Sequence, residues 1–381
     1  MTMTRTARTA RSLHTPHHPH RSHDPRNPRA PAAPRPRPAP RVLRIALLLA
    51  ALACWLAPGP AAAQQVVVKM ATLVPEGSSW QLILKEMADK WKTASGGRVI
   101  VRLYAGGVAG DDADVVRKIR LGALNAGVLT EVGLEEIDRS ILALSIPMAY
   151  SSYEEVDYVL EKMRPTLEAK LEAKGFVPLA WLDGGWSHIF AQKPVATPDE
   201  LKPLKLFTPS GDPQAVEIYK AAGFNPVPLP TTELSTALQT GLVNALQVPP
   251  QVAVLTQYYS HAKYMTDLPW LLLLGATVID KGTWEKIPAD VRPALLEAAR
   301  EAGRRLRAEV RNGGGRDVEA MKKRGLVVVP VDARARELWR KAAENAYPRI
   351  RGPVVPADAF DEALRYRDEL RRRTAGASRG R

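Results

Sequence analysis

The sequence predicts an α/β protein organised as two consecutive α/β blocks. Short apolar strands alternate with amphipathic helices from residue 66 to 181, and the same alternation resumes from 205 to 248. The composition agrees: 381 residues at 45% apolar are enough to bury a sizeable core.

In chain order, VVVKMATL (66–73) reads as a buried strand. A loop with Pro75 and Gly77 follows, and a helix opens at Ser78 or Ser79 with Leu82, Ile83, Met87 and Trp91 at helical spacing. Ser95-Gly96-Gly97 stops that helix, and 99–104 alternates like a half-buried strand before Gly106-Gly107 turns the chain. This β-α-β unit implies a parallel sheet. The first block continues with a helix at 112–121, a strand at 126–129, a helix at 153–174 and a strand at 177–181. The second holds strands at 205–208, 226–228 and 245–248 with helices at 213–222 and 232–240. Beyond Lys281 the chain turns helical and charged, with one strand at 326–329 and terminal helices from about Asp332.

The net charge of +14 resembles a nucleic-acid signature until its placement is considered. Ten arginines and one acid, Asp24, lie within residues 1–63, and Arg371, Arg372, Arg373, Arg379 and Arg381 crowd the C-terminus. The body between is close to neutral, so no nucleic-acid partner is expected. LRIALLLAALACWL (43–56) is too short to span a bilayer and suits the h-region of a secretory signal. Arg41 and Arg44 supply its positive flank, and Ala61-Ala62-Ala63 places the cut before Gln64. The exported chain is then periplasmic and contains no cysteine, because Cys54, the only one, lies in the removed segment. Two alternatives stay open: Cys54 as a lipid-modified anchor, and a true start codon near Val42. The Pro-, Arg- and His-rich residues before it cannot build a core.

Catalytic inventories are thin. Past residue 64 there are two histidines, His188 and His261, and no GxSxG, GxxxxGK[ST] or HExxH motif. No catalytic residue, metal site or cofactor is expected. Asp111, Asp112 and Asp114 read as charge at a helix N-terminus. Ser187 and His188 are adjacent on a strand, point to opposite faces and cannot form a triad with Asp183. Trp80, Trp181, Trp186, Phe207 and Trp270 fall at strand ends and loops, where α/β sheets place ligands.

Four segments resemble the solute-binding subunits of tripartite ATP-independent periplasmic (TRAP) transporters, DctP type. They are 96–129, LKPLKLFTPSGDPQAVEIYKAAGFNPVPLP (201–230), TELSTALQTGLVNALQVPP (232–250) and IPADVRPALLEAA (287–299). The resemblance implies a two-lobed clamp with crossing strands and a long helix spanning the hinge. Residues 1–63 would be leader and signal peptide. Lobe one would comprise 64–184 plus 274–312, lobe two 185–273 plus 313–370, and 371–381 would be a basic tail. It also implies a receptor, not an enzyme, that captures a small organic solute and delivers it to TRAP membrane permease subunits. A solute sensor without transport is the neighbouring alternative, and an α/β enzyme the more distant one.

Members of the family usually grip a carboxylate with an arginine where this chain has Phe207, and often with a second where it has Ser187. The matching positions carry Thr72, Thr130, Trp186, Ser187, Phe207, Ser210, Asp212, Gln247 and Val248, to which Trp80 and Glu131 are added as ligand-binding candidates. Most are neutral or aromatic. An isolated carboxylate in a dry cleft is costly without a cation, so the expected solute is less anionic than a dicarboxylate: aromatic, amidated or zwitterionic, with Asp212 facing an amine. A cation bridging a carboxylate to Asp212 or Glu131 is the remaining route to a simple acid.

Overall fold

The computed structural model describes residues 65–379; the leader, the cleavage site before Gln64 and Cys54 lie outside them. Eleven strands among these residues form two sheets. The first joins Val66–Thr72 (β1), Val99–Tyr104 (β2), Ala126–Thr130 (β3), Phe176–Trp186 (β4) and Leu272–Asp280 (β10) in the order β2-β1-β3-β10-β4. β1 runs parallel to β2 and β3, whereas β10 is antiparallel to both its neighbours.

The second sheet has the order β11-β9-β5-β8-β6-β7. Its strands are His188–Ala191 (β5), Lys205–Pro209 (β6), Asn225–Leu229 (β7), Ala245–Val248 (β8), Tyr264–Thr266 (β9) and Val327–Val329 (β11). β6, β7 and β8 are parallel, as the alternation predicts.

The helices follow the expected signals. Ser78 caps Ser79–Ala94 (α1), its hydroxyl accepting from the Gln81 N–H at 3.2 Å. The buried stripe of α1 ends at Trp91, whose indole N–H donates to the Leu295 carbonyl at 2.9 Å. Asp111 caps Asp112–Arg120 (α2), Thr130 caps the short Glu131–Glu135 (α3), and Ser152 caps Tyr153–Ala173 (α4). In the second lobe Asp212 caps Pro213–Ala221 (α5), and Leu234–Thr240 (α6) ends on Gly241 in the left-handed region.

The chain passes between the lobes four times, the last at Ile350. β4 passes through Ser187 directly into β5, and the chain returns from β9 into β10 alongside it. The two crossings are zipped by Ser187 N–H to Leu271 O at 2.8 Å and Trp270 N–H to Ser187 O at 2.9 Å. The third link is Arg292–Lys322 (α7), which buries Leu295, Ala299 and Leu306 with α1 in the first lobe and Met321 in the core of the second. A Cβ at Gly303 would lie 3.0 Å from Ala180 Cβ, so the missing side chain lets α7 settle against β4. Gly313-Gly314-Gly315 weakens the same helix where it passes between lobes, since each mid-helix glycine costs about 1 kcal/mol against alanine.

The C-terminal region departs from expectation. Ala333–Ile350 (α8) packs on the second lobe through Trp339 and Ala343. The chain then returns to the first: Ile350, Val354, Val355, Phe360 and Ala363 join Val156, Val159, Leu160 and Met163 of α4 in one core. Residues 350–370 therefore belong with lobe one, because their apolar stripe matches that of α4. Nor is the segment from 371 wholly a free tail. Ala357–Arg379 (α9) continues through it, and Arg371 pairs with Glu155 at 2.7 Å.

Candidate functional site

A cavity of about 580 Å³ lies between the two sheets, within the range of small-molecule sites. The first lobe contributes Thr72 at the end of β1 and Thr130 at the end of β3, and the second contributes Phe207 and Thr208 from β6 and Gln247 and Val248 from β8. These are the carboxyl ends of parallel strands, where α/β sheets expose backbone ends and leave a crevice. Thr231, on the same wall, links the lobes by donating its N–H to Asp111 Oδ2 at 3.0 Å.

Of the candidates read from sequence, the cavity is lined by Thr72, Trp80, Thr130, Glu131, Phe207, Asp212, Gln247 and Val248. Three others lie elsewhere. Trp186 faces a second cavity and stacks on Tyr153 with ring centroids 5.7 Å apart. Ser187 is buried in the strand crossing, and Ser210 is an exposed turn residue whose N–H bonds Leu229 O. The displacement of Trp186 and Ser187 follows from their place at the crossing, where the strand changes sheets. Trp270 lines the cavity and packs edge-on to Trp339 at 5.4 Å.

Sequence reasoning missed Glu135, Asp183, Thr208 and Tyr219, which also line the cavity. Glu135 was open to detection: it follows Glu131 by four residues and shares its helical face. Tyr219 lies two turns along α5 from Asp212, and its hydroxyl donates to Gln247 Oε1 at 3.3 Å. The rest of the wall is mainly apolar, with Leu73, Val74, Ile146, Ile218 and Leu274 among it.

The electrostatics are one-sided. Glu131, Glu135, Asp183 and Asp212 line the cavity, and among the described residues no lysine, arginine or histidine does. Asp183 is compensated from behind, where Arg311 Nη2 meets its Oδ2 at 2.6 Å. Burial raises the Glu131 carboxyl to about 8, and the charges of Asp112 and Asp212 push the same way. Glu135 is raised to about 9 by burial and by Asp212, against a smaller opposing pull from Arg139. Asp112, sealed beneath Thr130, is raised to about 6 by burial although the Thr130 N–H and hydroxyl both donate to its Oδ2. Asp212 caps α5 by accepting from the Ala215 N–H at 2.8 Å.

These shifts fix a pH dependence of stability. Glu131, Glu135 and Asp112 hold protons in the native state that the unfolded chain releases near pH 4. Between about pH 5 and 9 the native state therefore binds more protons, and stability falls as pH rises. The carboxylates lowered by arginines, Glu155 and Asp157, titrate below this window. Urea midpoints of the solute-free protein should fall from pH 5.5 to 8.5, and Glu131→Gln should flatten the slope. A midpoint rising across that range would contradict the assignment.

Among the described residues no group of three or more His, Cys, Asp or Glu is placed to hold a metal ion, and no helix is long and apolar enough to cross a membrane. His188 is half-buried, which lowers its pKa, and Nδ1 lies 3.0 Å from the Thr266 carbonyl.

Two α/β lobes joined by crossing strands, with a concave apolar chamber between them, define a two-lobed solute-binding receptor. The family model of bacterial extracellular solute-binding protein family 7, DctP, matches residues 70–351, and the chain belongs to that family. It is accordingly an extracytoplasmic receptor of the TRAP type. A solute-binding protein of Roseobacter denitrificans is 25% identical over 316 residues, covering 81% of this chain and 95% of its own. The C4-dicarboxylate-binding periplasmic protein of Rhodobacter capsulatus is 26% identical over 276 residues, 70% of this chain and 80% of its own. Among solved structures, a TRAP periplasmic solute-binding protein of Ralstonia eutropha with bound (S)-2-acetolactate superposes with a TM-score of 0.74 at 24% identity. That match covers 80% of this chain and 99% of the other.

Proposed function

We propose that the chain captures a small organic solute with an apolar body in the inter-lobe cavity and presents it to TRAP permease subunits. Export by the signal peptide, with a cut before Gln64, would deliver the receptor to the periplasm. The observation that carries the reading is the cavity itself, built from both lobes at the carboxyl ends of their parallel strands. A solute touching Thr72 and Thr130 on one side and Phe207 and Gln247 on the other draws the lobes together through contacts that neither lobe makes alone. The closed form is then stabilised by the differential affinity of the solute for it. No step of bond making or breaking is required of these side chains.

The solute class differs from that of the relatives with known ligands. The Ralstonia protein holds acetolactate and the structure of the Roseobacter denitrificans relative holds L-galactonate, both organic acids. Here Phe207 stands where the resemblance implies an arginine. A carboxylate would enter a chamber whose described wall carries four acids and no base.

Thermal unfolding against a panel of carboxylates, amides, aromatic compounds and amines, with and without Ca²⁺, tests the reading. A solute at a hundredfold its Kd should add about 2.7 kcal/mol and raise the midpoint. An aromatic or neutral compound should do so without metal. A plain dicarboxylate that raises the midpoint strongly in EDTA would overturn the expected class.

A further inference from the structure

We infer that the cavity selects an uncharged dicarbonyl solute, such as a diketone, diester or tertiary diamide, on an apolar body. One carbonyl oxygen accepts from the indole N–H of Trp80 in the first lobe and the other from the indole N–H of Trp270 in the second. The inference rests on the solute-receptor reading and deepens it by naming the polar groups that the site recognises.

The argument begins with the indoles. Away from this cavity the buried indole donors meet protein acceptors. Trp91 Nε1 donates to the Leu295 carbonyl at 2.9 Å, Trp339 Nε1 to the Ala196 carbonyl at 2.8 Å, and Trp181 Nε1 to Glu168 Oε1 at 2.9 Å. Trp80 and Trp270 both line the cavity, and their Nε1 atoms are closed off from solvent with no acceptor among the described residues. A buried donor left unmatched carries a desolvation cost, and a native wall keeps it where something else completes the pairing. An indole N–H only donates, so its missing partner is an acceptor.

The two donors stand on different lobes. Trp80 lies in the first turn of α1 and packs against the core of the first lobe. Trp270 is 6% exposed and belongs to the core of the second, edge-on to Trp339. The Tyr219 hydroxyl lies near the Trp270 indole, but it donates to Gln247 Oε1 at 3.3 Å, and the indole does not reach it in hydrogen-bond geometry. A carbonyl oxygen is a stronger acceptor than a phenol. Each lobe also offers a second unmatched group on the cavity: the hydroxyl of Thr208, 1% exposed, in the second, and Glu131 Oε2 in the first. Burial keeps a proton on Glu131 at neutral pH, so its carboxyl donates too. A solute with an acceptor at each end therefore binds the closed arrangement of both lobes better than either lobe alone.

The wall argues against charge of either sign. A carboxylate brings acceptors but no cation to meet it, since the described wall carries no base. An ammonium brings further donors to a wall whose indoles lack acceptors. Nor do the acids call for it: Glu131 and Glu135 are protonated, Asp183 is paired with Arg311, and Asp212 caps α5. Leu73, Phe207, Ile218 and Leu274 line the remainder and suit an apolar body.

The test uses 1,3- and 1,4-diacetylbenzene and octane-2,7-dione, each beside the dicarboxylate, the diamine and the monoketone of the same body. Binding is measured by titration calorimetry at pH 7 in EDTA, in wild type and in Ser235→Trp, which fills the cavity from α6. The expected result is that a diketone binds at least tenfold more tightly than its dicarboxylate and its diamine. It should also exceed its monoketone by roughly 2- to 12-fold, the worth of one neutral hydrogen bond. The indole N–H resonances of Trp80 and Trp270 should shift on saturation while those of Trp91, Trp181 and Trp339 stay in place. Trp270→Phe keeps a ring and removes the donor, so it should erase the advantage of diketone over monoketone, whereas a merely structural loss would weaken both alike. Trp80→Phe provides the same reading should the first variant fold poorly. Dicarboxylates or diamines that bind more tightly than the diketones, and lose their affinity in Ser235→Trp, would overturn the inference and leave the receptor site standing. A diketone that binds without moving either indole resonance would do the same. Diketones that bind Ser235→Trp as well as wild type would overturn it and remove the cavity reading with it. No binding by any probe would overturn the dicarbonyl, and the receptor reading would then stand or fall on the broader thermal panel.

Discussion

Replacing Arg311 with methionine is expected to cost about 3–5 kcal/mol of folding stability, the loss typical of a broken buried ion pair. Arg311 lies on α7 and reaches three elements at once. Its guanidinium meets Asp157 of α4 and Asp183 of β4 at 2.6 Å each, and its Cζ lies 4.4 Å from the Tyr153 ring centroid. Asp183 is the vulnerable partner. Its side chain is 3% exposed, burial raises its carboxyl despite two neighbouring guanidinium groups, and Oδ1 already lacks a hydrogen bond. Arg307, 3.5 Å from Asp183, cannot replace the lost charge at that geometry. Denaturant titration should show the loss, and a second change, Asp183→Asn, should recover most of it because the orphaned charge is then gone. If Arg311→Met alone costs under 1 kcal/mol, the cluster does not hold α7 to the first lobe.

Substituting Phe207 with arginine is expected to invert the solute preference. Phe207 lies on the cavity wall where the family resemblance places a carboxylate-binding arginine. A charged hydrogen bond contributes about 1.5–3 kcal/mol, so phenylpropanoate should tighten roughly 10- to 150-fold. A neutral aromatic solute should weaken as the guanidinium replaces the ring on the wall. The substitution also removes a ring from the core around Leu229 and Leu246, at a stability cost of about 3 kcal/mol, so folded protein must be confirmed by its unfolding transition. An unchanged affinity for the acid in folded protein would mean that position 207 does not meet the solute.

The fold was legible where local pattern and tertiary role coincide. The parallel strands β1, β2, β3, β6, β7 and β8 all follow from apolar runs bounded by glycine, proline and capped helices. β10 did not, although it sits at the centre of the first sheet. Its apolar run has no alternation, because both faces are covered, and such a run cannot be distinguished by period from a buried helix. β5 and β9 escaped for another reason: four and three residues are too few to show a period. The return of residues 350–363 to the first lobe depends on α4, almost two hundred residues earlier, and no local signal encodes that partner.

The site divides along the same line. Thr72, Thr130, Phe207 and Gln247 are strand-end residues, and strand ends are what periodicity locates. Trp186 and Ser187 also end a strand, but that strand continues into the other lobe, which carries them past the chamber. The absence of a base among the described wall residues was visible in part as the substitution at 207. The excess of acids was legible only through the four-residue spacing of Glu131 and Glu135, because Asp183 reaches the chamber only through the fold.

The most direct measurement is a crystal structure of the protein with its tightest-binding probe. The account predicts the probe between the lobes, its apolar body against Phe207 and Trp270 and its polar head at Glu131. A probe bound instead in the second cavity beside Trp186, or on the outer surface of either lobe, would contradict it.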